Sequence, residues 1–308
     1  MSPQRITLDN VKNIQMVGKV QFGWIAQVLW SPMGDVLAIC GGDGIALYVN
    51  AFGGSPTYSL TDHHGPVKGI AFSNNGRFLA SASADTTVKL WIFENETVRE
   101  HLTLKGHSSS VEAVAFSPGG TMLATASADN TVRLWNTEIG IQQNVLEGHT
   151  DEVTSVAFGV GGHVVLSASR DRSIRLWDLK AETKGTVLGE HDDWVREIAT
   201  SPGGSMLASA GKDMTIRLWD VYEAKQSYIL QSHFGGVDAV TFSPDGSLLA
   251  TGGRDNKIRL WEVETGEELM TLNDHTKPIL SLSFNPAGTM LVSGSGDNTV
   301  KLWVVADT

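Results

Sequence analysis

Cysteine is almost missing: Cys40 is alone among 308 residues, inside the apolar run Val36 to Cys40. No internal disulfide can form, and nothing points to an oxidising compartment; the thiol reads as buried and inert. Basic residues are scarce, 23 Lys and Arg against 34 Asp and Glu, a formal net charge of −11. Such a surface repels polyphosphate on average, so no nucleic-acid partner is expected. No uninterrupted apolar stretch nears the roughly 18 residues of a membrane span, and the opening MSPQRITLDN has no apolar core of signal-peptide length. The expectation is a cytoplasmic protein without membrane contact. Asn95-Glu96-Thr97 fits a glycosylation acceptor, which without secretion meets no glycosylating enzyme. Also absent are a Walker-type loop, HExxH, GxSxG, a Cys-His pair at ligand spacing and a DxDxDG loop. No cofactor, metal or catalytic residue is therefore expected.

What the chain has is repetition. Tryptophan recurs at 91, 135, 177, 219, 261 and 303, in steps of 44 and then 42, and His63, His107, His149, His191, His233 and His275 keep the same steps. At 308 residues the chain exceeds the usual size of one core, and the repeats favour a closed array over two domains. Within GHSSSVEAVAFSPGGTMLATASADNTVRLW, the runs Val111 to Phe116, Met122 to Ser127 and Thr131 to Trp135 are short, apolar or β-branched, and separated by Pro/Gly and Asp turns. These are three antiparallel strands, and a fourth follows each Trp, as in QQNVLEGH. Four strands in about 42 residues are the dimensions of a propeller blade.

The Gly-His of Gly106-His107 and Gly148-His149 and the Trp-Asp of Trp177-Asp178 and Trp219-Asp220 resemble the WD-repeat family, a resemblance that covers essentially the whole chain. Ile92, Asn136, Glu262 and Val304 replace the Asp elsewhere. Counting the degenerate first repeat, with Trp30-Ser31-Pro32 at its turn and Tyr48 in place of Trp, gives an all-β, seven-bladed β-propeller of four-stranded antiparallel blades. The repeats fall at about 21–62, 63–106, 107–148, 149–190, 191–232, 233–274 and 275–308, in a single domain over 1–308. The last repeat lacks a fourth strand, and the spare segment Ile14 to Gly18 is expected to supply it and close the ring, as the resemblance implies.

Each repeat carries an Asp six residues before its Trp (85, 129, 171, 213, 255, 297) and a hydroxyl four residues earlier (81, 125, 167, 209, 251, 293). With His and Trp these resemble the family's structural tetrad, a hydrogen-bonded chain from the indole through the hydroxyl and imidazole to the Asp. A His-Asp dyad for catalysis or metal is the alternative, but six copies spread round a ring cannot converge on one substrate. Blade 1 keeps Asp43 yet has Gln21, Ile39 and Tyr48 at the other three places, which predicts apolar packing instead. Cations two before each Trp (Lys89, Arg133, Arg175, Arg217, Arg259, Lys301) are expected to be structural.

Function should sit where the repeats disagree. By family resemblance the loops bearing His and Asp form the top face, and there blades 4 to 6 carry Arg170, Arg196, Lys212 and Arg254 among Asp151, Glu152, Asp192, Asp193 and Asp238, with Trp194 in their midst and Phe234 close by. Trp24 is the corresponding ring of blade 1. Trp and Arg dominate binding hot spots, which makes Trp194, Arg196, Arg170, Lys212, Arg254, Asp238 and Trp24 the candidate partner-binding residues. The reading is a non-catalytic adaptor that binds a protein or peptide partner bearing acidic groups. The alternative is a propeller enzyme or small-ligand binder that uses the central channel.

Overall fold

A computed structural model describes residues 3–49, 54–94, 97–181, 185–231 and 233–306. Asn95 and Glu96 of the glycosylation triplet lie outside them. Blade 3 shows how sequence becomes structure. Its strands, innermost outward, are Val111–Phe116, Met122–Ser127, Thr131–Asn136 and Gln142–Glu147, paired antiparallel in that order. Ser117 opens the first turn and its Oγ accepts the Met122 N–H at 3.1 Å, while Gly120 supplies the left-handed residue (φ 72°). At the second turn Ser127 Oγ accepts the Asp129 N–H at 3.1 Å. The innermost and outermost strands alternate or face solvent, but Leu123 to Ser127 in the second strand are all buried because neighbouring blades cover both faces. Small side chains are needed there. In blades 6 and 7 the equivalent position is glycine, and a Cβ on Gly252 would meet Ile279 Cγ2 of the next blade at 2.5 Å.

Seven such four-stranded sheets form the ring. Their innermost strands pack side by side, blade 7 against blade 1 included. The core is accordingly a set of slabs between blades. Trp135 of blade 3, for example, packs with Ala80, Ala82, Val88 and Leu90 of blade 2, and losing such a ring typically costs about 3–5 kcal/mol. The closing strand is Ile14–Gln21, which pairs antiparallel with Thr299–Val305 from Ile14 opposite Val305 to Gln21 opposite Thr299. It runs further than the Ile14 to Gly18 segment, over a bulge between Met16 and Gly18. Ahead of it, Ile6 and Val11 are buried in the slab between blades 6 and 7.

Candidate functional site

The repeated polar residues sit inside the blades. In blade 3 the Trp135 indole N–H donates to Thr125 Oγ1 at 2.9 Å, His107 Nε2 lies 2.7 Å from the same hydroxyl, and His107 Nδ1 lies 2.8 Å from Asp129 Oδ2. The same chain runs through the other five repeats. Asp129 also accepts the Ser108 N–H and the Thr131 hydroxyl. Burial pushes this carboxyl upward, but bonds from His107 and Thr131 more than offset that and hold it well below the usual range. With an ionised Asp as acceptor, His donates from Nδ1 and accepts the hydroxyl at Nε2. Burial likewise lowers His63, His233 and His275 and keeps them neutral. Among the described residues no group of three or more His, Cys, Asp or Glu could hold a metal.

Blade 6 varies the theme. Lys257 replaces the hydroxyl after the turn Asp, and the buried Arg259 takes over, donating to Asp255 at 2.8 Å with the same nitrogen 2.6 Å from His233 Nδ1. The other five pre-tryptophan cations are also tied down inside the chain, Lys89 to Glu100, Arg133 to Gln142, Arg175 to the Gly185 carbonyl, Arg217 to Asp192 and Asp213, and Lys301 to Asp274. In blade 1, Ile39 and Tyr48 pack among Val28, Leu37, Val292 and Val300 instead of forming a network. Burial pushes the Cys40 thiol up to about 12, which leaves it protonated and unreactive.

The irregular residues of blades 4 to 6 form two clusters. In the first, Trp194 is 36% exposed and clamped between cations, with the Arg170 guanidinium 4.6 Å and Lys212 Nζ 4.2 Å from its ring centroid. The loop is pinned: the Lys212 N–H donates to the Trp194 carbonyl at 2.8 Å and the Trp194 N–H to Asp193 Oδ1 at 2.8 Å. In the second, Asp238 is nearly buried and accepts from both Arg196 and Arg254. Arg196 and Asp238 do not sit on loops. Each innermost strand carries a bulge at this point (Val195/Glu197, Val237/Ala239), which turns them into the central channel beside Lys68, Glu112 and Thr154 around a cavity of about 220 Å³. Trp24, 43% exposed, stands apart in blade 1 with Lys68 Nζ 5.0 Å from its ring.

Each of the four candidate cations has a carboxylate of its own chain. Arg170 pairs with Glu152 at 2.9 Å, Lys212 with Asp193 at 3.2 Å, and Arg196 and Arg254 share Asp238. Two further surface residues belong here. Phe234 is 75% exposed, and Met214 is 46% exposed in a left-handed conformation (φ 68°) that suits Asn or Gly better. Asn130, Asn256 and Asn298 hold the equivalent place in blades 3, 6 and 7, so Met214 was detectable by comparing turns.

Deeper in the channel, side chains beyond the bulges link neighbouring blades. Gln27, Ser155, Glu197 and Ser281 accept the N–H groups of Ile70, Ile198, Val240 and Val28 at 2.7, 3.2, 2.7 and 3.1 Å. Burial in the channel wall raises the Glu197 carboxyl to about 8.

The family described as WD domain, G-beta repeat matches residues 54–91, 99–136, 140–178, 182–220, 224–262 and 266–304, most of the chain. The chain belongs to the WD-repeat family. Only the blade without a tetrad, blade 1, lies largely outside the matches. Among curated relatives, a periodic tryptophan protein 2 homolog of Dictyostelium discoideum is 35% identical over 95 residues, 30% of this chain and 10% of that protein. A periodic tryptophan protein 2 homolog of Schizosaccharomyces pombe is 30% identical over 101 residues, 32% of this chain and 12% of that protein. This WD-repeat chain thus aligns with about a tenth of the length of these relatives. Among its described residues no helix is long and apolar enough to cross a membrane.

Proposed function

We propose that this WD-repeat propeller is a non-catalytic adaptor that binds an extended segment of a partner protein across the top of blades 4 to 6. The observation that carries the reading is Trp194: a large ring held in place by backbone hydrogen bonds and two cations, yet open on its outer edge. A ring immobilised before binding loses little entropy on contact. Met214 and Phe234 expose further apolar surface around a separate hollow with Gln231 and Thr215. The free nitrogens of Arg254, whose Nε alone bonds Asp238, can take a carboxylate of the partner. Because every cation already has an acidic neighbour, the partner's acidic groups exchange with internal pairs, which gives selectivity more than raw affinity.

The test is Trp194→Ala combined with Arg254→Ala, both at partly exposed sites. Thermal unfolding should stay nearly unchanged, while co-purification from native lysate, read by mass spectrometry, should lose the proteins that the wild type retains. An unaltered set of retained proteins would end the assignment. The alternative reading places function in the channel, whose cavity of about 220 Å³ is lined by charged and hydroxyl side chains. A shift of several degrees in melting temperature with one compound, among nucleotides, sugars and divalent ions, would move the assignment there.

A further inference from the structure

We infer that the opposite, bottom mouth of the channel holds a second binding site, a notch at blades 4 and 5 that takes a tyrosine or tryptophan side chain from a loop of a partner protein. Six of the seven innermost strands end on an aromatic residue, Trp30, Phe72, Phe116, Phe158, Phe242 and Phe284. Each of these packs into one slab between blades. The seventh strand, Val195–Thr200, ends on Thr200, and the slab between blades 4 and 5 has no such ring. A cavity of about 400 Å³ opens beside it, lined among others by Phe116, Pro118, Phe158, Gly159, Thr200 and Pro202.

A second departure from the repeat falls at the same spot. Six turns begin with a Ser or Asn whose side chain caps a backbone N–H of the next strand. Blade 4 has Gly159 there, so the turn beside the notch lacks the polar cap of its counterparts.

The walls select the occupant. None of the lining residues is ionisable, so an ammonium or carboxylate would give up hydration without a countercharge. An uncharged ring meets Phe116, Phe158 and two prolines. The Thr200 hydroxyl makes no hydrogen bond to any described residue, so a phenol O–H or indole N–H gains a partner there that a phenyl ring cannot use. Thr200 lies at the far end of the strand that starts beside Trp194, about 20 Å away at strand geometry. The two sites are separate.

The experiment uses methyl-labelled full chain titrated with N-acetyl-tryptophanamide and followed by NMR. Saturable shifts of the Ala115, Val156, Ala157 and Thr200 methyls are expected, with N-acetyl-phenylalaninamide binding about fivefold more weakly for want of one hydrogen bond. Thr200→Phe should fill the notch, raise the melting temperature and abolish the shifts. Thr200→Val, which keeps the shape and removes the hydroxyl, should weaken the tryptophan probe about fivefold and leave the phenylalanine probe unchanged. Shifts that do not saturate, that persist in Thr200→Phe, or a tryptophan affinity that Thr200→Val leaves unaltered would each overturn the site. Trp194→Ala should leave every one of these results unchanged.

Discussion

Blades 3 and 5 are nearly the same object inside and different objects outside. His107, Thr125, Asp129 and Trp135 of one correspond to His191, Ser209, Asp213 and Trp219 of the other, with indole to hydroxyl distances of 2.9 Å in both. Around them lie Val111, Leu123, Ala124 and Ala126 against Val195, Leu207, Ala208 and Ala210, all fully buried. At the top and in the channel mouth, Ser110, Glu112, Ala128 and Asn130 of blade 3 correspond to Trp194, Arg196, Lys212 and Met214 of blade 5. The lesson is that the slabs and tetrads carry the stability, so the rim can be rewritten with little regard for folding.

The largest expected effect breaks the shared part. Thr125→Val in blade 3 and Ser209→Ala in blade 5 each strand an indole N–H and an imidazole nitrogen in the interior, for a loss of about 3 kcal/mol per variant. Urea denaturation should give losses within about 1 kcal/mol of each other; a blade 5 loss near zero would mean that the two interiors are not equivalent. A smaller effect of opposite sign comes from the rim. Met214→Asn relieves a left-handed methionine and should stabilise blade 5 by about 1 kcal/mol, which brings it to the condition Asn130 already gives blade 3. No gain in the denaturation midpoint would show that the turn is unstrained.

A third effect depends on pH. Glu197 occupies in blade 5 the place of Ala113 in blade 3, and its folded-state carboxyl is raised to about 8. Between the ordinary carboxylate range, about pH 4–5, and about pH 8 the folded state holds a proton that the unfolded state releases. Stability therefore falls as pH rises through that window and levels off above it. Glu197→Gln should accept the Val240 N–H just as Gln27 accepts that of Ile70 at 2.7 Å, and should remove this slope. Melting curves from about pH 5 to pH 8 that decline in parallel for variant and wild type would contradict it.

The ring was readable in the sequence because its signals recur: a Trp step of 42, a His and an Asp in fixed phase and two turn types state the same fold six times. The apolar substitution in blade 1 was readable too, since its polar partners vanish together. What escaped was whatever occurs once or breaks the alternation of a strand. Ile6 and Val11 fill a slab from outside any repeat. The placement of Arg196 and Asp238 in the channel follows from bulges, which strand alternation cannot reveal. That each candidate cation already has an acidic neighbour is equally hidden. Arg170 and Glu152 are 18 residues apart, and Arg196 and Asp238 are 42 apart in adjoining blades.

The strand Ile14–Gln21 finds its place against Thr299–Val305, so the strand made ahead of blade 1 has to wait for the one made at the end of blade 7. A growing chain on the ribosome can assemble blades 1 to 6 in order, each from contiguous residues, while this strand trails free with bare backbone N–H and C=O groups. The arrival of Thr299–Val305 thus acts as a clasp that converts an open, sticky arc into a toroid in one step. Until then the nascent molecule is most exposed to pairing with the wrong neighbour.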